Sequence, residues 1–499
     1  MMMIKSPPCV TRKSYEDGFT IARHSELDSG STFKRAQLAT GQTWILNQVQ
    51  DDAEAVRRDE QDKTGCATQI QEKNNMPLTL AEKIIAKASG RDSLTPGEIV
   101  TCNVDLAMMH DSAGPRSAGK YLDGLGVPVW DLDKLVVITD HYINSDDEAF
   151  NAIQSHAQSW VKDHDVKNFI KEQGICHIVL PESGHVKPGQ FIVGGDSHSC
   201  TGGAFGTFMV GIGATEMAGV LATGEIWVRV PETVRIDVRG ALRPGVSAKD
   251  IILKLCGEYG IMGFNYQALE YAGTAVDAMS VQERMTLANM AAELGAKAGY
   301  CQPDEKTRAQ LDAWGATEID IDTWRSDTDA TYKKTVAIDG DTLSPQVAAP
   351  SSPENASPVE DHIGTKLDQA YLGACTGAKL DDLRMAAEVL KGRKVPSGFK
   401  FMVAPSSIPM GEQARAEGTL GIIEDAGGQV LPVGCGGCIG LGAARLEENA
   451  VGISSTNRNF VGRAGPKSSK LFLGSPYTVA ASALKGEIAD PREFLGEGA

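Results

Sequence analysis

The chain has 499 residues, 42% of them hydrophobic and 23% charged, with a formal net charge of −17. That length builds a large core, roughly two to four domains, and the acidic balance disfavours a nucleic-acid surface, which needs clustered Lys and Arg. No apolar run reaches membrane-spanning length and no signal peptide is visible, so the sequence reads as a soluble, cytoplasmic protein with reduced thiols and no membrane partner.

Residues 1–75 are polar and show no sustained helical or strand period. Met76 then opens MPLTLAEKIIAKASG, where Thr79 and Glu82 form a capping box, apolar residues follow at helical spacing, and Ser89-Gly90 ends the helix. A well-formed start sits at Met76. Residues 1–75 are expected to be a mis-called upstream extension or a disordered tail.

From Met76 onward apolar strands alternate with helical patterns, the sign of an α/β protein with largely parallel sheets. Strands are expected at LVVIT (135–139), FIVGG (191–195), AYLGA (370–374), FMVAP (401–405), QVLPV (429–433) and KLFLG (470–474). The apolar stretch GTFMVGIGATEMAGVLATGEIWV (206–228) reads as a buried helix. A new strand, turn and helix begin at residue 234, which suggests a boundary near 233. Residues 345–365, rich in Pro and Ser, read as a linker. The expected domains are 76–232, 233–365 with the linker, and 366–499.

Chemistry-bearing residues gather just past the ends of these strands. LVVIT runs into Asp140 and His141, FIVGG into Asp196, Ser197 and His198, AYLGA into Cys375, and QVLPVG into Cys435 and Cys438. In open α/β sheets the ligand crevice lies there. Cys435-Gly-Gly-Cys438 alone fits a redox dithiol, half a zinc site or part of an iron–sulfur site. Among the ten cysteines, Cys375, in the small-residue turn GACTGAK, is the best third partner. Cys102, Cys176 and Cys256 read as inert core thiols. Three thiolates suit an iron–sulfur cluster with one iron lacking a protein ligand, because structural zinc and electron-transfer clusters want four. Such an iron is a Lewis acid for a hydroxyl and a carboxylate, and proton transfer beside it needs His and carboxylate groups. His141 and His198 are the first candidates, with His177 and His110 nearby; His156, His164, His185 and His362 read as structural. Arg458 and Arg463, in the turn-rich STNRNFVGR, form a candidate carboxylate clamp.

Taken together, DH (140–141), GDSHS (195–199), ANMAAELGAKAG (288–299), GACTGA (373–378), GCGGC (434–438) and STNRNFVGR (455–463) resemble the aconitase superfamily, from about residue 76 to the end. The closest type is the large subunit of its two-chain members, isopropylmalate isomerase or homoaconitase. The resemblance implies three α/β/α domains around a [4Fe–4S] cluster held by Cys375, Cys435 and Cys438. It implies dehydration and rehydration of a hydroxy di- or tricarboxylic acid. It puts Asp140 and His141 in the acid role, pairs His177 with Asp196 and His198 with Glu293, and sets Asn289 and Asn457 near the cluster. Ser197, Arg458 and Arg463 fall on substrate carboxylates, and His110 at a substrate-contacting position.

Two departures qualify it. The family often has Asn where this chain has Gly377, a departure in the turn that carries Cys375. The resemblance covers no counterpart of the swivelling fourth domain of the single-chain members, so the chain is expected to be one subunit of two, with a small subunit supplying the base and further substrate contacts. Rival readings are a zinc site, an inactive subunit, and a cluster-sensing RNA-binding regulator, against which the net charge argues.

Overall fold

The computed structural model describes residues 76–143 and 147–496, so the expectation for residues 1–75 lies outside the described residues. The first helix, Leu80–Ser89, starts at the Thr79–Glu82 capping box and stops at Gly90, whose left-handed backbone (φ 67°) favours glycine.

Five parallel strands form the first large sheet, in the spatial order Asn168–Lys171, Leu135–Thr139, Leu106–His110, Phe191–Gly194, Phe208–Gly211. The three central strands are buried along their whole length, as a sheet covered on both faces requires. The chain steps outward from Leu106–His110 on one side and resumes at Phe191–Gly194 on the other. The order reverses between those two strands, and in such sheets the reversal opens a crevice past the carboxyl ends.

The sheet nearest the C-terminus repeats the arrangement. Its parallel part runs Gln429–Val430, Lys400–Val403, Gln369–Leu372, Val451–Ser454, Lys470–Leu473. Here the reversal falls between Gln369–Leu372 and Val451–Ser454. A third parallel sheet lies between these two in sequence, in the order Ala298–Cys301, Ala268–Ala272, Thr233–Arg239, Lys334–Asp339. Among the described residues no helix is long and apolar enough to cross a membrane.

Two sequence expectations are corrected. Residues 206–228 are not one helix but a strand (Phe208–Gly211), a helix (Ala214–Thr223) and a second strand (Glu225–Arg229). The break is enforced at Gly211, where an added Cβ would lie 2.5 Å from the Asp196 carbonyl. The Gly213 N–H, bonded to Glu216, then opens the helix, and Gly224 ends it in the left-handed region. Residues 345–365 are not a free linker. Gln346–Ala348 and Ala356–Pro358 add two antiparallel strands to the edge of the C-terminal sheet. Val347 and Val359 are buried, so apolar burial outweighs the Pro- and Ser-rich composition.

Candidate active site

The two reversal points carry the site. At the first, Leu106–His110 ends on His110, its neighbour Leu135–Thr139 runs into Asp140-His141, and Phe191–Gly194 into Asp196-Ser197-His198. At the second, Gln369–Leu372 runs into Cys375 and Val451–Ser454 into Ser455, Thr456 and Asn457. The middle sheet's region contributes the helix Val281–Met290 and the turn Ala291–Leu294, which carry Asn289 and Glu293.

The Asp140 carboxylate accepts from His141 Nδ1 at 2.5 Å and from the Cys176 N–H at 2.8 Å. Burial alone would press the imidazole pKa down, but the Asp140 and Asp111 carboxylates outweigh it and hold His141 well above its ordinary value. Burial would raise the Asp140 pKa, yet the His141 charge and hydrogen bond hold it below the usual carboxylate range. The geometry and the two carboxylates favour an imidazolium on a carboxylate, with Nδ1 committed to Asp140. Asp111 supports it, accepting the N–H groups of His141 and Tyr142 and the Gln154 amide.

His110 stacks on His141 with ring centroids 4.5 Å apart, and its Nε2–H donates to the Gly195 carbonyl at 3.0 Å. Burial and the neighbouring His141 charge both push its pKa down, so His110 is neutral beside a protonated partner.

The second network runs through Asp196, which takes His177 Nε2 and the His198 N–H on one oxygen, both at 2.8 Å. His198 Nε2 meets Glu293 Oε1 at 2.7 Å. Arg458 Nε donates to both Glu293 oxygens at 2.8 and 3.0 Å, and a terminal nitrogen reaches Ser197 Oγ at 3.1 Å. Burial would lower the His198 pKa, but Asp196 and Glu293 raise it. Ligating atoms of His177, Asp196 and His198 lie within 4.8 Å of one another, as do those of His110, Asp111, Asp140 and His141. Within each group a carboxylate is already engaged: Asp140 takes His141 Nδ1 and Asp196 takes His177 Nε2.

All three thiols are buried and free. Asn289 Nδ2 donates to Cys375 Sγ at 3.1 Å and to Thr201 Oγ1 at 2.7 Å. The Asn457 amide reaches Cys375 Sγ at 3.5 Å and also donates to Asn289 Oδ1. The Cys435 thiol beside it, with Arg463 at 3.9 Å, holds the Cys438 thiol well below its ordinary pKa. Burial pushes Cys375 up to about 11. The Ala374 side chain packs with Cys435 and Cys438, and Ala374 itself sits at φ 67°, a conformation a non-glycine residue adopts only under constraint.

The family described as Aconitase family (aconitate hydratase) matches residues 82–486. The chain belongs to the aconitase family. It is 44% identical to 3-isopropylmalate dehydratase large subunit 1 of Methanopyrus kandleri, over 84% of this chain and 100% of that one. It is also 44% identical to the probable 3-isopropylmalate dehydratase large subunit of Methanothermobacter thermautotrophicus, over 83% and 99%. The probable methanogen homoaconitase large subunit of the same organism is 40% identical over 84% and 99%. Membership in the aconitase family makes the chain an enzyme of the hydro-lyase type.

Every site residue picked from the aconitase-family motifs lies in one of these contact networks. Sequence reasoning left out Asp111, Gln154, Thr201 and Ser455. Asp111 carried a visible signal, a carboxylate directly after His110 at a strand end. The other three are ordinary polar residues that acquire meaning only through contacts across more than forty positions of chain.

Proposed function

We propose that the chain is the large subunit of a two-chain iron–sulfur hydro-lyase that interconverts 2- and 3-isopropylmalate by dehydration and rehydration. The observation that carries this is the meeting, at the reversal points of two parallel sheets, of three thiols, an imidazolium–carboxylate pair and an arginine-bearing loop. The relatives named as 3-isopropylmalate dehydratase large subunits support the substrate, and their being large subunits supports a small partner chain.

The donor set fits a [4Fe–4S] cluster. Cys375, Cys435 and Cys438 are the three ligands, and the Asn289 and Asn457 amides supply N–H donors to sulfur. When bound, the cluster supplies a Lewis-acid iron for the substrate hydroxyl and a carboxylate. Arg463 Nε and His177 Nδ1 are buried without partners among the described residues, polar atoms that a loaded site would satisfy.

This chain's residues then divide the work. Arg458 and Arg463, with Ser197, bind carboxylate groups of the substrate. His141 delivers its Nε2 proton to the departing hydroxyl, which leaves as water, and Asp140 holds the imidazole in orientation throughout. His110, neutral and stacked on His141, keeps a second charge out of the crevice. His177–Asp196 and His198–Glu293 fix the opposite wall. The carbon-bound proton goes to a base on the small subunit. On rehydration water returns at the neighbouring carbon and His141 regains its proton. The compartment is the cytoplasm, in keeping with eight described cysteines that are all free.

The test is anaerobic co-expression with the small subunit, iron and sulfide analysis, and assay on isopropylmalate, homocitrate, citrate and dimethylmalate. Turnover of isopropylmalate by iron-loaded complex is expected. Turnover of homocitrate alone would shift the reading to the homoaconitase type, to which one relative is 40% identical. Loaded complex that turned over none of the four would overturn the substrate class.

A further inference from the structure

We infer that Lys249 is the buried counter-charge and positioning residue of the three-thiol site, an inference that rests on the iron–sulfur reading above. Lys249 is the second residue of the helix Ala248–Tyr259, two positions after the cap Ser247, and its side chain is buried with 1% of the residue exposed. Its Nζ donates to the Ser455 carbonyl at 3.0 Å, the Thr456 carbonyl at 2.6 Å and Thr376 Oγ1 at 3.3 Å. Thr376 follows Cys375 in the chain, and Ser455-Thr456 precede Asn457, whose amide donates to Cys375 Sγ. One ammonium thus fastens the turn that holds a thiol to the loop that holds its amide donor. It does so from a helix belonging to another sheet.

The charge balance is the second strand of the argument. All three acceptors are neutral, and among the described residues no carboxylate forms an ion pair with Lys249. Lys379, the other fully buried lysine near Cys375, differs: its Nζ pairs with Asp382 at 2.6 Å while reaching the Cys375 carbonyl at 3.3 Å. An unpaired ammonium removed from water is strongly disfavoured unless a negative charge lies close. Burial lowers the Lys249 pKa to about 8; the nearby Cys375 thiol, then Asp382, already paired with Lys379, and Cys438 hold it up. The anion that Lys249 lacks is the thiolate-ligated site itself. No step of the proposed reaction needs this lysine, and its position behind Cys375 keeps it a positioning residue.

The experiment uses the co-expressed complex, purified anaerobically, as wild type, Lys249→Met and Lys249→Gln. Iron and sulfide content, the rate of cluster loss to a chelator, and the EPR-monitored reduction midpoint are measured alongside thermal unfolding. Both variants are expected to lose the cluster at least about tenfold faster, the usual scale for residues that support metal ligands. Both midpoints are expected to move negative, because the reduced, more negative state loses its counter-charge. The glutamine variant keeps a hydrogen-bond donor and fills the space, so it reports on charge even where methionine leaves the complex insoluble. A Lys249→Gln midpoint equal to wild type would overturn the inference, whatever happened to the loss rate. Wild-type complex without iron and sulfide would instead overturn the iron–sulfur reading.

Discussion

The backbone N–H of Cys435 donates to the backbone carbonyl of Asp140 at 2.9 Å. A candidate cluster ligand and the carboxylate behind the candidate acid are thus joined directly, although they follow strands of different sheets. The Asp140 side chain is engaged separately, by His141 on one oxygen and the Cys176 N–H on the other. Backbone and side chain of this one residue hold two parts of the site in register. A change to the carboxylate therefore tests the acid without cutting the link to the thiols.

Asp140→Asn is expected to leave iron and sulfide content unchanged and to lower kcat about 10²–10⁴-fold, the scale of a lost general acid. Without the Asp140 charge, Asp111 alone opposes burial, and the His141 pKa should fall from its raised position. Residual activity should then rise as pH falls toward and below about 6.5, the ordinary imidazole value. Wild-type activity should stay flat through that range. A variant profile as flat as the wild-type one would remove His141 from the acid role.

The strand ends that carry Asp140, Asp196 and Cys375 were legible because parallel, doubly covered strands are continuous apolar runs, and the polar residue that ends each run stands out. The pairing of His198 with Glu293 was reached only through family resemblance, since nothing in spacing joins residues 95 positions apart. Lys249 was not legible at all. It sits in AKDIILKLC, where a lysine at a helix start reads as a solvated surface charge, and its contacts with Thr376 and the Ser455 and Thr456 carbonyls, more than 120 positions away, appear only in the fold. The stretch 206–228 failed for a different reason: apolar content hid a strand–helix–strand unit whose breaks depend on how closely the Asp196 loop approaches Gly211.

Gly377 is explained by Ser455. An added Cβ there would lie 2.0 Å from Ser455 Oγ and 2.7 Å from the Ser455 carbonyl. That hydroxyl accepts from the Gly373 N–H at 3.0 Å and donates to the Gly377 carbonyl at 3.2 Å, closing the turn around Cys375. Gly377→Ala should cost about 1–3 kcal/mol, the range for forcing atoms into a packed interior, and reduce iron content. The double variant Gly377→Ala, Ser455→Gly should recover part of the stability in a thermal melt. No recovery would mean that the clash lies elsewhere in the turn.

Glu182 gives a pH-dependent stability remote from the crevice. Burial raises its pKa from 4.5 to about 7, against the hydrogen bond that Ser407 Oγ donates to it at 2.9 Å. Between those values the folded chain holds a proton that the unfolded chain has released. The stabilising contribution is therefore present below about pH 4.5 and lost as pH rises through about 7. Glu182→Gln keeps an acceptor for Ser407 and cannot ionise. It should match wild type within about 1 kcal/mol at pH 5 and exceed it by about 2–3 kcal/mol at pH 8, read as chemical-denaturation midpoints. Equal gains at both pH values would show that the carboxylate is not the titrating group.

Arg458 is built for a planar, forked donor. Its Nε lies 2.8 and 3.0 Å from the two Glu293 oxygens while a terminal nitrogen contacts Ser197 Oγ at 3.1 Å. Lysine offers one point charge on a flexible stem and cannot span both partners and a substrate carboxylate. Should Arg458 bind substrate in the ground state and transition state alike, Arg458→Lys raises KM, by about a hundredfold for a lost charge-assisted pair, with kcat nearly constant. Should it act mainly by holding Glu293, and through it His198, kcat falls and KM stays within a few-fold. Ser197→Ala separates the two, because it removes one Arg458 contact without touching Glu293. The binding role requires that this variant raise KM in the same direction and by less.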